Sequence, residues 1–148
     1  MMDQSNKKKV LVVDDELGVR RLVRQILSQN YAVLEAQDGE EAVNIARNQD
    51  PDLILMDMMM PKMDGLTACR AIKQDQATRG IVVVMLTAIG YDLNRKLAEN
   101  VAGASAYMTK PFDSQELLST VGRLLSSKNQ ASDNAGTEAL NNVEELKK

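Results

Sequence analysis

A chain of 148 residues has room for one domain around a single core and little beyond it. Its 44% hydrophobic and 26% charged residues are those of an ordinary globular protein, and a net charge of −3 lacks the cationic excess of a nucleic-acid binder. One cysteine, Cys69, excludes an internal disulfide, and no apolar run approaches a membrane span. Lys7, Lys8 and Lys9 are followed by only four apolar residues before Asp14, too few for a signal-peptide core, so the chain is expected in the cytoplasm.

Val10 to Val13 form a short apolar run that ends on two acids, Asp14 and Asp15. A helical pattern follows, with Val19, Leu22, Val23, Ile26 and Leu27 inward and Arg20, Arg21 and Arg24 on the wet side. Asn30 closes it, and Tyr31 to Ala36 read as a strand. Asp38-Gly39 turns into a second helix from about Glu40 to Arg47, with Ala42, Val43 and Ala46 facing the core. Asp50-Pro51-Asp52 breaks the chain before Leu53 to Met56, a run without polar alternation that suits a strand covered on both faces. Asp57 closes this strand, and Pro61 prevents further pairing.

Asp64-Gly65 opens a third helix through Leu66, Cys69, Ile72 and Lys73, in which Cys69 is a small core residue. Ile81 to Leu86 is a strand with three consecutive valines that ends at Thr87-Ala88. Leu93, Leu97 and Val101 suggest another helix, stopped by Gly103, and Ser105 to Thr109 give a fifth strand ending at Lys110-Pro111. Asp113 to Glu116 has the form of a capping box before a last helix with Leu117, Leu118, Val121, Leu124 and Leu125 inward. The methionines at 56, 58, 59, 60 and 63 read as packing and loop filling, since thioether ligands would not be set among carboxylates. Residues 1–6 are then an extension, 7–127 the folded domain, and 128–148 a disordered tail in which Leu140, Val143 and Leu146 could form a short amphipathic turn on a partner.

Strict strand–helix alternation calls for an α/β fold, a parallel five-stranded sheet with helices on both faces. In such a sheet ligands bind outside the carboxyl ends of the strands. The first, third, fourth and fifth strands end at Asp14/Asp15, Asp57, Thr87/Ala88 and Lys110, whereas the second ends at Ala36 and delivers nothing. Three carboxylates, a hydroxyl and an ammonium therefore meet in one cleft. Crowded carboxylates raise one another's pKa unless a cation joins them. The ligands are hard oxygens and the chain contains no histidine, so Mg2+ fits and zinc does not. With Lys110 as counter-charge and Thr87 as donor, the set suits phosphoryl transfer.

The runs Val10-Leu11-Val12-Val13-Asp14-Asp15-Glu16, Asp38-Gly39-Glu40-Glu41-Ala42, Asp57-Met58-Met59-Met60-Pro61 with Asp64-Gly65, Thr87-Ala88 and Lys110-Pro111-Phe112, in this order, resemble the response-regulator receiver family over about residues 7–127. The resemblance implies a three-layer, flavodoxin-like fold with five helices and strand order 2-1-3-4-5. It makes Asp57 the phosphoacceptor, supplied by a sensor histidine kinase or phosphotransfer protein. Asp15 would be a direct metal ligand, Asp14 one acting largely through water, and Met59 a ligand through its carbonyl. Thr87, the Ala88 N–H and Lys110 would bind phosphoryl oxygens, Tyr107 would be the switch aromatic, and the Lys110-Pro111 bond would be cis.

On this reading the chain is a stand-alone response regulator, not an enzyme. No effector domain follows residue 127, so its output is expected through a protein target, with no direct nucleic acid, no membrane, and a monomer or a phosphorylation-dependent dimer. Two alternatives compete. One is a receiver-like scaffold that binds partners without phosphorylation, against which the intact site argues. The other is a Mg2+-dependent phosphatase with an aspartyl nucleophile, which needs a second acid two residues after Asp57, where Met59 stands.

Overall fold

The structure is a computed structural model and describes residues 7–88 and 103–133, with side chains as far as residue 128. Five parallel strands, β1 (Lys9–Val13), β2 (Ala32–Ala36), β3 (Leu53–Asp57), β4 (Val82–Ala88) and β5 (Ala106–Lys110), form one sheet in the order β2-β1-β3-β4-β5. Four helices are described: α1 (Leu17–Leu27), α2 (Gly39–Gln49), α3 (Gly65–Gln74) and α4 (Ser114–Asp133). The helix expected around Leu93 to Val101 lies outside the described residues, as does the Leu140–Leu146 turn. The last helix runs on to Asp133, past residue 127 where the composition changes.

The uninterrupted apolar runs have their cause in this topology. β1 and β3 lie inside the sheet, so both faces of each are covered and every residue of β3 is buried. Alternation divides them between two cores. Leu11, Val13, Ile54, Met56, Val83 and Met85 pack with Ala42, Val43, Ala46, Ala68, Cys69 and Ile72 from α2 and α3. Val10, Val12, Leu53, Leu55, Val84 and Leu86 pack with Val23 and Leu27 of α1 and Leu117, Val121 and Leu125 of α4. Cys69 is fully buried, and burial pushes its thiol up to about 11, as suits a core residue.

α1 departs from its periodicity. Only Val23 and Leu27 are fully buried; Leu22, expected inward, is 45% exposed, and Arg20, expected wet, has a side chain only 12% exposed. The helix is rotated relative to its sequence pattern: Leu22 lines a groove with Val19, Pro111 and Phe112, while on the opposite side Arg20 is covered by its ion pair with Glu35 of β2.

Three helices begin on an aspartate that accepts a backbone N–H of the first turn: Asp38 from Glu41 (2.9 Å), Asp64 from Thr67 (2.8 Å) and Asp113 from Glu116 (2.8 Å). α1 differs, beginning after Glu16, whose side chain makes no capping bond. The strands also run further than the apolar runs suggest. Thr87 and Ala88 remain in the ladder opposite Thr109 and Lys110, so they are the last residues of the sheet and not the first of a loop.

Candidate functional site

Asp57 is the last residue of β3, opposite Leu86 of β4, and only 7% exposed. Its Oδ1 lies 3.3 Å from Nζ of Lys110, the last residue of β5, and 3.4 Å from the Met59 N–H. The same ammonium is 2.7 Å from Oδ2 of Asp14, the fully buried residue after β1. One lysine therefore ties together three strand ends. A cleft of about 340 Å³ opens there, lined by Asp15, Glu16, Asp57, Met59, Ala88 and Lys110 among others.

The electrostatics follow from the burial. Burial and the neighbouring Asp14 carboxylate raise the pKa of Asp57, against the opposing pull of Lys110 and the Met59 N–H. Burial also works against the charge of Lys110, but the hydrogen bond and charge of Asp14, with those of Asp57, more than offset it and hold the ammonium above its ordinary pKa.

The acidic corner is larger by one residue than the strand ends indicate. Carboxylate oxygens of Asp14, Asp15 and Glu16 lie within 4.8 Å of one another, the only such group of three among the described residues. Glu16 is the residue that sequence reasoning missed, although it directly follows the acid pair. Its N–H donates to Asp14 Oδ1 (3.0 Å), while its carboxylate makes no cap bond. Asp57 joins this corner through Lys110 and not as a fourth member of the group.

Thr87 and Ala88 separate by the pleat. Leu86 and Ala88 share one side of β4, and Ala88, half of the expected pair, lines the cleft. Thr87 points to the other side, buried, in the row that includes Met85. Tyr107 pairs with Met85 and packs on the α2–α3 side of the sheet. Thr87 and Tyr107 thus lie on one face, and Asp57 and Lys110 on the other. Met59 is 67% exposed at the cleft, and the Lys110-Pro111 bond is cis.

The loop from Met58 to Asp64 is fixed by two helix N-termini, each opening on a glycine. Gly65 donates to the Met58 carbonyl (3.0 Å), and Gly39 donates to the Met63 carbonyl (3.1 Å). A Cβ on Gly65 would fall 2.1 Å from the Asp57 carbonyl oxygen, and one on Gly39 would fall 2.5 Å from that of Met63. The need is for close approach of backbones, not for an unusual φ. The two Asp-Gly pairs in the sequence are therefore caps followed by contacts that only glycine permits.

A family model described as the response regulator receiver domain matches residues 10–122. The chain is 44% identical over 132 residues to Transcriptional regulatory protein ResD of Bacillus subtilis, covering 88% of this chain and 53% of that protein. It is 40% identical over 119 residues to Chemotaxis protein CheY of Halobacterium salinarum, covering 80% of this chain and 97% of that one. The solved structure of a CheY-like response regulator receiver domain protein from Methanospirillum hungatei matches with a TM-score of 0.77 at 28% identity, over 84% of this chain and 98% of that one.

The chain spans about half the length of ResD and the other transcriptional regulators it matches. One of these is described as DNA-binding. This corrects the expectation that output passes through a protein target with no nucleic acid involved. A net charge counted over the shared part reports on that part only, and DNA binding by that relative is compatible with an acidic receiver. No described helix is long and apolar enough to cross a membrane.

Proposed function

This chain belongs to the response regulator receiver family, and we propose that Asp57 accepts a phosphoryl group from the phosphohistidine of a sensor kinase, in the cytoplasm. The observation that carries the reading is the shared ammonium, with Lys110 Nζ 3.3 Å from Asp57 Oδ1 and 2.7 Å from Asp14 Oδ2. A carboxylate oxygen of Asp57 attacks phosphorus, the bond to the histidine nitrogen breaks, and the imidazole leaves with that electron pair. Lys110 is placed to follow the negative charge onto the phosphoryl oxygens, and the Ala88 N–H at the cleft supplies a further donor.

Asp14, Asp15, Asp57 and the Met59 carbonyl, with Glu16 beside them, would hold Mg2+. The donors fit that ion: the carboxylates of Asp14, Asp15 and Glu16 have oxygens within 4.8 Å of one another, Asp57 is tied to them through Lys110, all are hard oxygens, and the chain has no histidine. Bound there, the ion would neutralise phosphoryl charge. Thr87 and Tyr107 form the switch. Thr87 lies on the face opposite Asp57, so reaching the acyl phosphate requires the end of β4 to leave its ladder with β5; Tyr107, on the same face as Thr87, then moves into the space released, and the two packings exchange population. The switched surface then engages an output module, for which a DNA-binding region like that implied by the name of the DNA-binding relative is the candidate. A phosphatase reading has no support, because Met59 supplies no acid at the position that chemistry needs.

Incubation with acetyl phosphate and Mg2+ followed by intact-mass measurement tests this. The expected result is one added phosphoryl group on the wild type and none on Asp57→Asn. An adduct that survives in Asp57→Asn, or none on the wild type, overturns the assignment. Steady turnover of phosphate esters would favour the phosphatase.

A further inference from the structure

The main chain that carries the corner carboxylates is held by a side chain from α1. The Asp14 N–H donates to the Ala36 carbonyl (3.1 Å), the last bond of its kind between β1 and β2. The Asp14 carbonyl, one residue past the ladder, accepts instead from a guanidinium nitrogen of Arg20, Nη1, at 2.9 Å. Arg20 Nε donates to Glu35 Oε1 (3.1 Å), Arg24 Nε donates to the second oxygen of Glu35 (2.7 Å), and Arg24 Nη2 donates to the Val33 carbonyl (3.1 Å). An unbroken chain of hydrogen bonds thus runs from the edge strand β2 to the peptide group joining Asp14 and Asp15.

We infer that Arg20 is a positioning residue for the divalent-cation site, held in place by Glu35, so that β2 governs the acidic corner through two side chains. The guanidinium is nearly covered, with the Arg20 side chain 12% exposed, so its geometry is set by its partners and not by solvent. Burial alone would raise the pKa of Glu35, but hydrogen bonds from Arg24 and Arg20 and their charges keep it below the ordinary carboxylate range, and the anchor stays ionised. Moving the Asp14 carbonyl would rotate the peptide plane between two expected metal ligands. Lysine replaces arginine only in part here, because one ammonium lacks the planar fork that reaches a carbonyl and a carboxylate at once.

The inference rests on the reading of the corner as a metal site, and the test separates the two. Mn2+ is titrated into the folded protein, free Mn2+ being followed by EPR, for wild type, Arg20→Met, Arg20→Lys, Glu35→Gln and Arg47→Met. Arg47 serves as a control, an ion pair with Asp75 at 3.0 Å from the last turn of α2. Arg20→Met should weaken Mn2+ binding on the order of tenfold, the usual effect of removing a residue that orients a ligand. Arg20→Lys should fall between it and wild type, Glu35→Gln should shift in the same direction by less, and Arg47→Met should bind as wild type does. Unchanged affinity in Arg20→Met, or equal loss in Arg20→Met and Arg47→Met, overturns the inference while leaving the metal site standing. A wild type that binds no Mn2+ overturns both. If Arg20→Met does not fold, Glu35→Gln decides, and its unchanged affinity counts against the inference.

Discussion

Asp14 and Asp57 both stand at the carboxyl end of a buried parallel strand and share one lysine, yet their surroundings differ. Asp14 is fully buried, and all its polar groups are engaged: Oδ2 with Lys110, Oδ1 with the Glu16 N–H, the backbone N–H with Ala36 and the carbonyl with Arg20. Asp57 faces the cleft with a 3.3 Å ammonium and a 3.4 Å N–H on the same oxygen, and its pKa is raised. A carboxylate with a donor close to each oxygen holds position. One that is loosely paired and poorly solvated is in a state to form a bond.

The comparison breaks most completely if the shared lysine goes. Lys110→Met leaves a buried Asp14 carboxylate without its ammonium, which should cost about 3–5 kcal/mol of stability in urea unfolding. It should also abolish the phosphoryl adduct. Gly65→Ala is next. The added methyl group meets the Asp57 carbonyl, so about 1–3 kcal/mol is expected from overpacking, together with slower acceptance from acetyl phosphate although no reacting group is altered. Asp64→Ala removes only the cap that seats α3 beside that contact and should cost about 1 kcal/mol, read as a lower urea midpoint.

The smallest effect has a distinctive pH dependence. The pKa of Asp57 is raised on folding, so its favourable contribution is complete below the ordinary carboxylate value and is lost as pH rises through the raised one. At neutral pH the ionised group therefore opposes the fold. Asp57→Asn should melt above wild type there, with the gap closing as pH falls through that window. Asp14→Asn should give no such gain, because it removes a carboxylate already bound to Lys110 at 2.7 Å.

The sheet and most of the site were legible because buried parallel strands leave continuous apolar runs whose ends are easy to see. That marks Asp14, Asp57, Ala88 and Lys110 and brings them to one edge. The pleat was not legible from where those runs stop. Leu86 ends the apolar run, but the ladder continues to Ala88, and the two added residues decide that Thr87 faces away from Asp57. The role of β2 was hidden for a different reason. A periodicity argument assigns Arg20 to solvent by its type and position, whereas the fold covers it by offering Glu35 as a partner. The sequence shows no carboxylate at the end of β2, yet Glu35, one residue before that end, reaches the corner through an arginine. Glu16 lies beyond the apolar run of β1, and only the fold brings its carboxylate back beside those of Asp14 and Asp15.

Cys69 gives the molecule a chemical stopwatch. With its sulfur sealed in the core and its thiol pushed up to about 11, the native fold has almost no thiolate to offer an alkylating reagent at neutral pH. Labelling should then proceed only as fast as the core opens. A single iodoacetamide time course, with and without acetyl phosphate, would report how far occupation of the cleft slows the opening of a layer on the other side of the sheet.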